Sequence, residues 1–302
     1  MKFNINEYSD LVQYRCFSFD DKQQDLFIKY LQGLLIDRNF RTTIDSYGNL
    51  IAERNVNNDP FIPLIIAHVD INQHDAAVPK LLRVNDWLIG FSTKTGTTVG
   101  VGHDDKAGIY FALQVAKTDL DCKIIFTKDE EVGCVGTSCL DKSHFKNISF
   151  AIQLDRRGSS DVSQYTNGVT VVSKEFKENS KPLLDIFGFK YVNCVYTDVG
   201  ALKSVHKVDF CCMNVSCGYY NEHSNDETLN IPQFINSMEF AYEMLVAFGK
   251  DHQRHVVKVR KDKPVKWRNK NFDWETFYSD YKSGPYSDNY KKGDPKDDKW
   301  PF

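Results

Sequence analysis

Three short apolar runs in this chain each stop on a His or acidic side chain, and this pattern narrows the fold more than any other feature. Pro63–Ala67 leads into His68-Val69-Asp70. Lys123–Phe126 leads into Lys128-Asp129-Glu130-Glu131, and Phe150–Leu154 into Asp155. Runs this short read as strands buried on both faces rather than as helices. Strands are also predicted at Asn49–Glu53, Val169–Val172, Tyr191–Val195 and Phe210–Val215, with a Gly- and Thr-rich hairpin over 81–101. Helical spacing appears over 18–40, where Phe27, Tyr30, Leu31 and Leu34 share a face, and over 231–249. The stretch VGHDDKAGIYFALQVA offers a packing face of Gly108, Phe111, Ala112 and Val115, with Asp104 and Asp105 at the N-terminus. Pro182–Phe187 belongs to a further helix, and Thr197–Gly200 opens a short one. Strands alternating with helices predict an α/β fold: a three-layer α/β/α sandwich around a central mixed, mostly parallel sheet. In such sheets ligands bind outside the carboxyl ends of the strands, which is where these His and acidic residues fall.

The 302 residues suffice for one large domain, predicted over 1–252, and a small accessory. Past 253 the composition shifts to mixed charges with Trp267, Phe272, Trp274, Phe277, Tyr278 and Trp300. That pattern reads either as a poorly ordered tail or as a segment that docks a protein partner. A net charge of -3 leaves no basic footprint for nucleic acid. None of the eight cysteines forms a CxxC pair, which argues against a Cys zinc site. No apolar run is long enough for a membrane span, and the N-terminus has no apolar signal core. Cysteines inside apolar runs suit a reducing, cytoplasmic compartment.

Taken singly, each cluster has an ordinary explanation. Asp104-Asp105 is a helix N-cap, Glu130-Glu131 a solvated turn, Asp155 beside Arg156 and Arg157 a surface ion pair, and His223 a loop residue. Those explanations leave unexplained why the clusters keep following buried strands. Neutral His and carboxylates suit zinc and related divalent ions. Two such ions about 3.5–4 Å apart can hold a hydroxide between them, and a bridging carboxylate keeps them close. Asp104, at the turn into a helix, is the predicted bridge. His68 and Asp70 share a strand face, and Asp70 is expected to accept the other ring N–H of His68 and fix its tautomer. Of the Glu pair, Glu131 is assigned as a ligand and Glu130 as the free base that takes a proton from the attacking water.

AHVD (67–70), VGHDDKAG (101–108), the DEEVGCVG run (129–136), QLD (153–155), TDVGAL (197–202) and GYYNEHSNDE (218–227) stand in an order that resembles the co-catalytic zinc exopeptidases. The closest likeness is to peptidase T and the tripeptidases. The motifs cover most of residues 61–230. The resemblance implies that His68, Asp104 and Asp155 hold one metal and Asp104, Glu131 and His223 the other. It further implies Glu130 as general base, Asp70 behind His68, and a cis peptide after Asp104. Two divalent ions are thus expected, Zn2+ first, with Co2+ or Mn2+ as alternatives. Such enzymes insert a lid domain between the fourth and fifth ligands. Only residues 156–222 lie there in this chain, and they are needed to finish the sheet, so a separate lid is expected to be missing. His103 replaces the family's usual small residue and is expected to be exposed or to support a ligand. The implied activity is cleavage of short peptides from the amino end. Hydrolysis of N-acyl amino acids, or a silent metal-binding scaffold, are the alternatives. Arg156, Arg157, Tyr219, Tyr220 and Asn221 are candidate substrate contacts, the Arg pair being suited to a carboxylate.

Overall fold

The apolar runs become the centre of a sheet. In the computed structural model, which describes residues 1–72, 78–166, 168–195 and 197–257, two helices come first, α1 (Ile5–Val12) and α2 (Asp21–Ile36). Strands β1 (Arg41–Ile44), β2 (Leu50–Arg54) and β3 (Ile62–His68) follow, then β4 (Lys80–Val84), β5 (Trp87–Ser92) and β6 (Thr97–Thr98). Next are α3 (His103–Ala116), β7 (Cys122–Thr127), α4 (Val135–Cys139), β8 (Ile148–Arg156), β9 (Asp161–Thr166) and β10 (Val169–Thr170). The last elements are α5 (Lys174–Phe187), β11 (Lys190–Cys194), α6 (Asp198–Ser204), β12 (Cys212–Ser216), β13 (Tyr219–Tyr220), β14 (Thr228–Asn230) and α7 (Ile231–Phe248). The proposed docking tail lies, beyond Val257, outside the described residues.

The main sheet has the order β1-β2-β7-β3-β8-β12-β9-β10, with β11 also pairing β9. Its centre is parallel: β3 lies between β7 and β8, and β12 adds to β8 in the same direction. β2 joins β7, and β9 joins β12, antiparallel. The sheet is therefore mixed, with a parallel core, as expected. All residues of β3, β7 and β12 are buried, which is why these strands read as unbroken apolar runs instead of alternating.

Alternate residues of β3 feed two cores. Ile65, Ala67 and the following Val69 pack with α1, α2, α3, α5 and α7, while Leu64 and Ile66 pack with Val199 and Leu202 of α6. Helices thus cover both faces. Residues 156–222 supply β9 to β13, α5 and α6, and none of the described residues among them forms a separate lid. A second, five-stranded sheet joins β13, β14, β5 and β4 in that order, with β6 on β5.

Several elements differ from expectation. The helix over 18–40 starts only at Asp21, because the Asp20 side chain caps it by accepting from the Gln23 amide at 3.2 Å. α1, β1 and β9 were not expected. β1 is an exposed edge and β9 is mostly polar in sequence, with Ser163 and Thr166 buried, so neither carries an apolar run. The hairpin over 81–101 belongs to the second sheet and pairs with strands more than a hundred residues later.

Candidate metal centre

His68 ends β3, Asp155 lies near the end of β8, and Glu130 and Glu131 follow β7. These three strands are parallel neighbours, so their ends reach the same rim. Asp104 arrives from the turn into α3. Gly102 there takes a left-handed backbone (φ 76°), Asp104 and Asp105 are non-helical, and the peptide between them is cis. Gly108 is required three residues on: Asp105 Oδ1 accepts its amide at 2.9 Å, and a Cβ at this position would meet that oxygen at 2.4 Å. His223 comes from the loop joining β13 to β14 and is itself left-handed, with φ 61°.

The side chains converge as two overlapping groups. His68, Asp104 and Asp155 form one; Asp104, Glu131 and His223 form the other. In each, the potential ligand atoms lie within 4.8 Å of one another. Asp104 Oδ1 is 3.1 Å from His68 Nε2, and its Oδ2 is 3.2 Å from His223 Nε2. Asp155 Oδ1 is 3.7 Å from His68 Nε2. His223 Nε2 and Glu131 Oε1 lie 3.0 Å apart and are shielded from solvent, yet neither atom is aligned for a hydrogen bond of normal geometry. Two buried polar atoms left this way are what a shared cation would satisfy.

Charge in the cluster is unbalanced. Burial raises Glu130 and Asp155 well above the usual carboxylate range, and the charge of Asp104 adds to the effect on Asp155. Glu131 is pushed up to about 7, by burial and then by Asp104. Burial acts against ionised Asp104 too, but its contacts with His223 and His68 prevail and hold it well below the usual range. His223 is raised to about 11 by Asp104 and Glu131. Asp104, Asp155 and Glu131 facing two imidazoles make a donor set that suits divalent cations, whose charge would favour the ionised carboxylates.

Asp70 does more than expected. His68 Nδ1 lies 3.0 Å from the Asp70 main-chain carbonyl and 3.4 Å from its carboxylate. The carboxylate instead accepts the amides of Glu130 (2.9 Å) and Glu131 (3.2 Å), together with Ser18 Oγ (2.7 Å). A single residue therefore fixes one imidazole through its carbonyl and the Glu pair through its side chain.

A cleft of about 820 Å³ opens over the cluster, and Asp104, Glu130, Glu131, Asp155 and His223 line it. Arg156, Arg157 and Tyr219 line it as well. Arg156 pairs with Asp161 at 3.0 Å, and Arg157, largely exposed, with Glu222 at 3.2 Å. Tyr219 donates its hydroxyl to Asp155 Oδ1 at 3.1 Å. Tyr220 and Asn221 do not line the cleft. Tyr220 donates to Gln233 Oε1 and packs on Trp87, while Asn221 reaches the Asp226 carbonyl. In the β13 hairpin, side chains alternate, so only one of the two tyrosines can face inward.

The expectation of an exposed His103 is corrected. The ring is fully buried, stacks on Tyr8 and lies 2.7 Å from its hydroxyl through Nδ1; burial pushes its pKa down to about 3. It belongs to neither ligand group. Tyr8 lies in the unexpected helix α1, so nothing near His103 in sequence signalled the contact. Glu227 was quoted within a motif but given no role. Its carboxylate accepts the amides of Val101 (2.9 Å), Gly102 (2.6 Å) and Asp104 (3.2 Å), clamping the turn that presents Asp104.

The fold is shared with solved structures of several peptidases. Solved structures with this fold include the aminopeptidase PepT of Bacillus cereus (13% identity, TM-score 0.64, 80% of this chain and 96% of that one). A tripeptidase from Staphylococcus aureus aligns over 81% of this chain and 97% of its own at 11% identity and a TM-score of 0.65. The TET1 peptidase of Pyrococcus horikoshii matches at 15% identity and a TM-score of 0.58, over 81% and 99%. No family model matches the sequence, and no curated protein matches it.

Proposed function

We propose that this chain is a two-cation hydrolase that cleaves short peptides as an aminopeptidase. The observation that carries the reading is Asp104, which turns one carboxyl oxygen to His68 and the other to His223, while Glu130 stands beside both groups and belongs to neither. His68, Asp104 and Asp155 would hold one cation, and Asp104, Glu131 and His223 the other, with zinc the first choice and cobalt or manganese as substitutes. When bound, such a pair supplies Lewis acidity and brings the pKa of water down to about 7.

The protein's own groups do the rest. Glu130 takes the proton of the attacking water and returns it to the departing amine. Burial raises the pKa of its carboxyl, which makes it a stronger proton acceptor than a solvated carboxylate. Asp70 holds the Glu130 and Glu131 amides, so base and ligand keep a fixed relation. Tyr219 and the two arginines line the path of the substrate, with Arg157 exposed and available to a carboxylate. The similar solved structures of an aminopeptidase and a tripeptidase support peptides as the substrate class. The cysteines among the described residues are free, which supports a reducing, cytoplasmic setting.

The test uses the full chain, stripped with a chelator and reloaded with Zn2+, Co2+ or Mn2+. Free-amine di- and tripeptides should be hydrolysed only after reloading. Cleavage of N-acyl amino acids in preference to free-amine peptides would instead make the chain a deacylase. Failure on every amide with cations bound would end the enzymatic reading.

A further inference from the structure

The TDVGAL run supplies no ligand, yet it holds one of the most enclosed carboxylates in the molecule. Asp198 is fully buried at the start of α6. Its Oδ1 accepts from the Thr137 hydroxyl, and its Oδ2 from Thr127 Oγ1 at 3.0 Å and Gln153 Nε2 at 3.3 Å. Donors from α4, β7 and β8 thus converge on one side chain. A carboxylate placed only for the helix dipole could stay in solvent; this one is taken into the core, where burial has to be offset by hydrogen bonds.

Gln153 links Asp198 to the metal centre. Its Nε2 lies 3.0 Å from Asp155 Oδ2, and its Oε1 accepts the Val199 amide at 3.4 Å. The Val199 amide can only donate, so the oxygen end of Gln153 must face α6 and the nitrogen end must face the two carboxylates. Each of the two N–H bonds then has one carboxylate to serve. With Oδ2 held by Gln153, Asp155 turns Oδ1 toward His68, and Tyr219 donates its hydroxyl to that same oxygen. Asn214 fixes the Asp155 backbone from the other side, donating to its carbonyl at 2.6 Å and accepting its amide at 3.0 Å.

We infer that Asp198 is a positioning residue: through Gln153 it sets which oxygen Asp155 presents to a cation, so α6 tunes the His68–Asp104–Asp155 site and leaves the Asp104–Glu131–His223 site alone. The inference rests on the two-cation reading but not on any particular substrate.

The experiment is a Co2+ and Zn2+ titration of the stripped full-length protein, followed by calorimetry and by the visible Co2+ spectrum. Wild type should take up two equivalents. Asp198→Asn should weaken one of them by about 10–100-fold and leave the other within about twofold, since removing a group that holds a ligand has effects of that size. Gln153→Leu, which keeps the bulk and removes the donor, should weaken the same equivalent. In a His223→Ala background, which retains only the His68 site, adding Asp198→Asn should weaken the one remaining equivalent. Circular dichroism checks that each variant folds. Wild-type affinities in both single variants would overturn the inference, and so would equal weakening of both equivalents, which marks general loosening. A wild-type chain that binds no cation would overturn the two-cation reading and this inference together, which separates that failure from the others.

Discussion

The two halves of the candidate centre are built differently. His68 and Asp155 sit at the ends of core strands, are almost wholly buried, and are held by the Asp70 carbonyl, Gln153, Asn214 and Tyr219. His223 stands on a hairpin loop of the second sheet with its side chain 39% exposed, and its Nε2 faces the other two ligands of its own group. One site is therefore preorganised by the fold, whereas the other is completed by a surface loop. The first should bind its cation more tightly and exchange it more slowly.

The sharpest break concerns the base that stands outside both halves. Glu130→Gln should keep two bound cations while turnover drops by about 10²–10⁴-fold, measured as kcat on a free-amine dipeptide beside elemental analysis. Undiminished kcat would remove Glu130 from the mechanism. Asp70→Asn should come next, lowering activity by about 10–100-fold because the Glu130 and Glu131 amides lose their carboxylate acceptor, while the main-chain carbonyl still holds His68. The cation held by Glu131 should then weaken more than the one held by His68.

The contrast between halves is tested directly by staged chelation. Graded chelator should remove the His223 cation first, and His223→Ala should retain one tight equivalent that His68→Ala loses. If the tight equivalent survives in His68→Ala, the comparison is inverted. A pH series sharpens it further. Asp104 and Glu131 raise His223 to about 11 when no cation is bound, so the imidazole carries a proton throughout the neutral range and must release it to bind. Apparent affinity of that equivalent should therefore fall about tenfold as the pH is lowered from 8 to 7, and more steeply below 7, where Glu131 also takes up a proton. A flat profile would mean that His223 is not a ligand. The smallest effect is expected at the cleft's edge: Arg157→Ala should raise KM a few-fold, about 1 kcal/mol or less, for peptides with a free carboxylate, and leave kcat unchanged.

Much of this was legible in the chain because β3, β7 and β8 are buried on both faces, and their residue types announce both the strand and its end. β1 and β9 were not: β1 is an exposed edge, and β9, although paired to β10, β11 and β12, is mostly polar in sequence and carries no apolar run. The second sheet was equally hidden: β5 pairs with β14, and no local signal reports a partner so distant in sequence. The same limit explains His103, whose companion Tyr8 is 95 residues away, and Asp198, whose burial depends on hydroxyls from two other elements. Strand-end ligands could be read because their direction is fixed by the strand that carries them. The groups that hold those ligands could not, because they depend on which strands become neighbours.

The Asp104 turn is clamped by Glu227, which accepts three of its amides. A growing polypeptide makes that turn long before it makes the clamp. His68, Asp104, Glu131 and Asp155 will already have emerged from the ribosome when the segment bearing both His223 and Glu227 is still to be translated, so the last ligand and the lock on the shared one arrive together, within five residues. Assembly of the bridged pair is thereby deferred until nearly the whole fold has been synthesised.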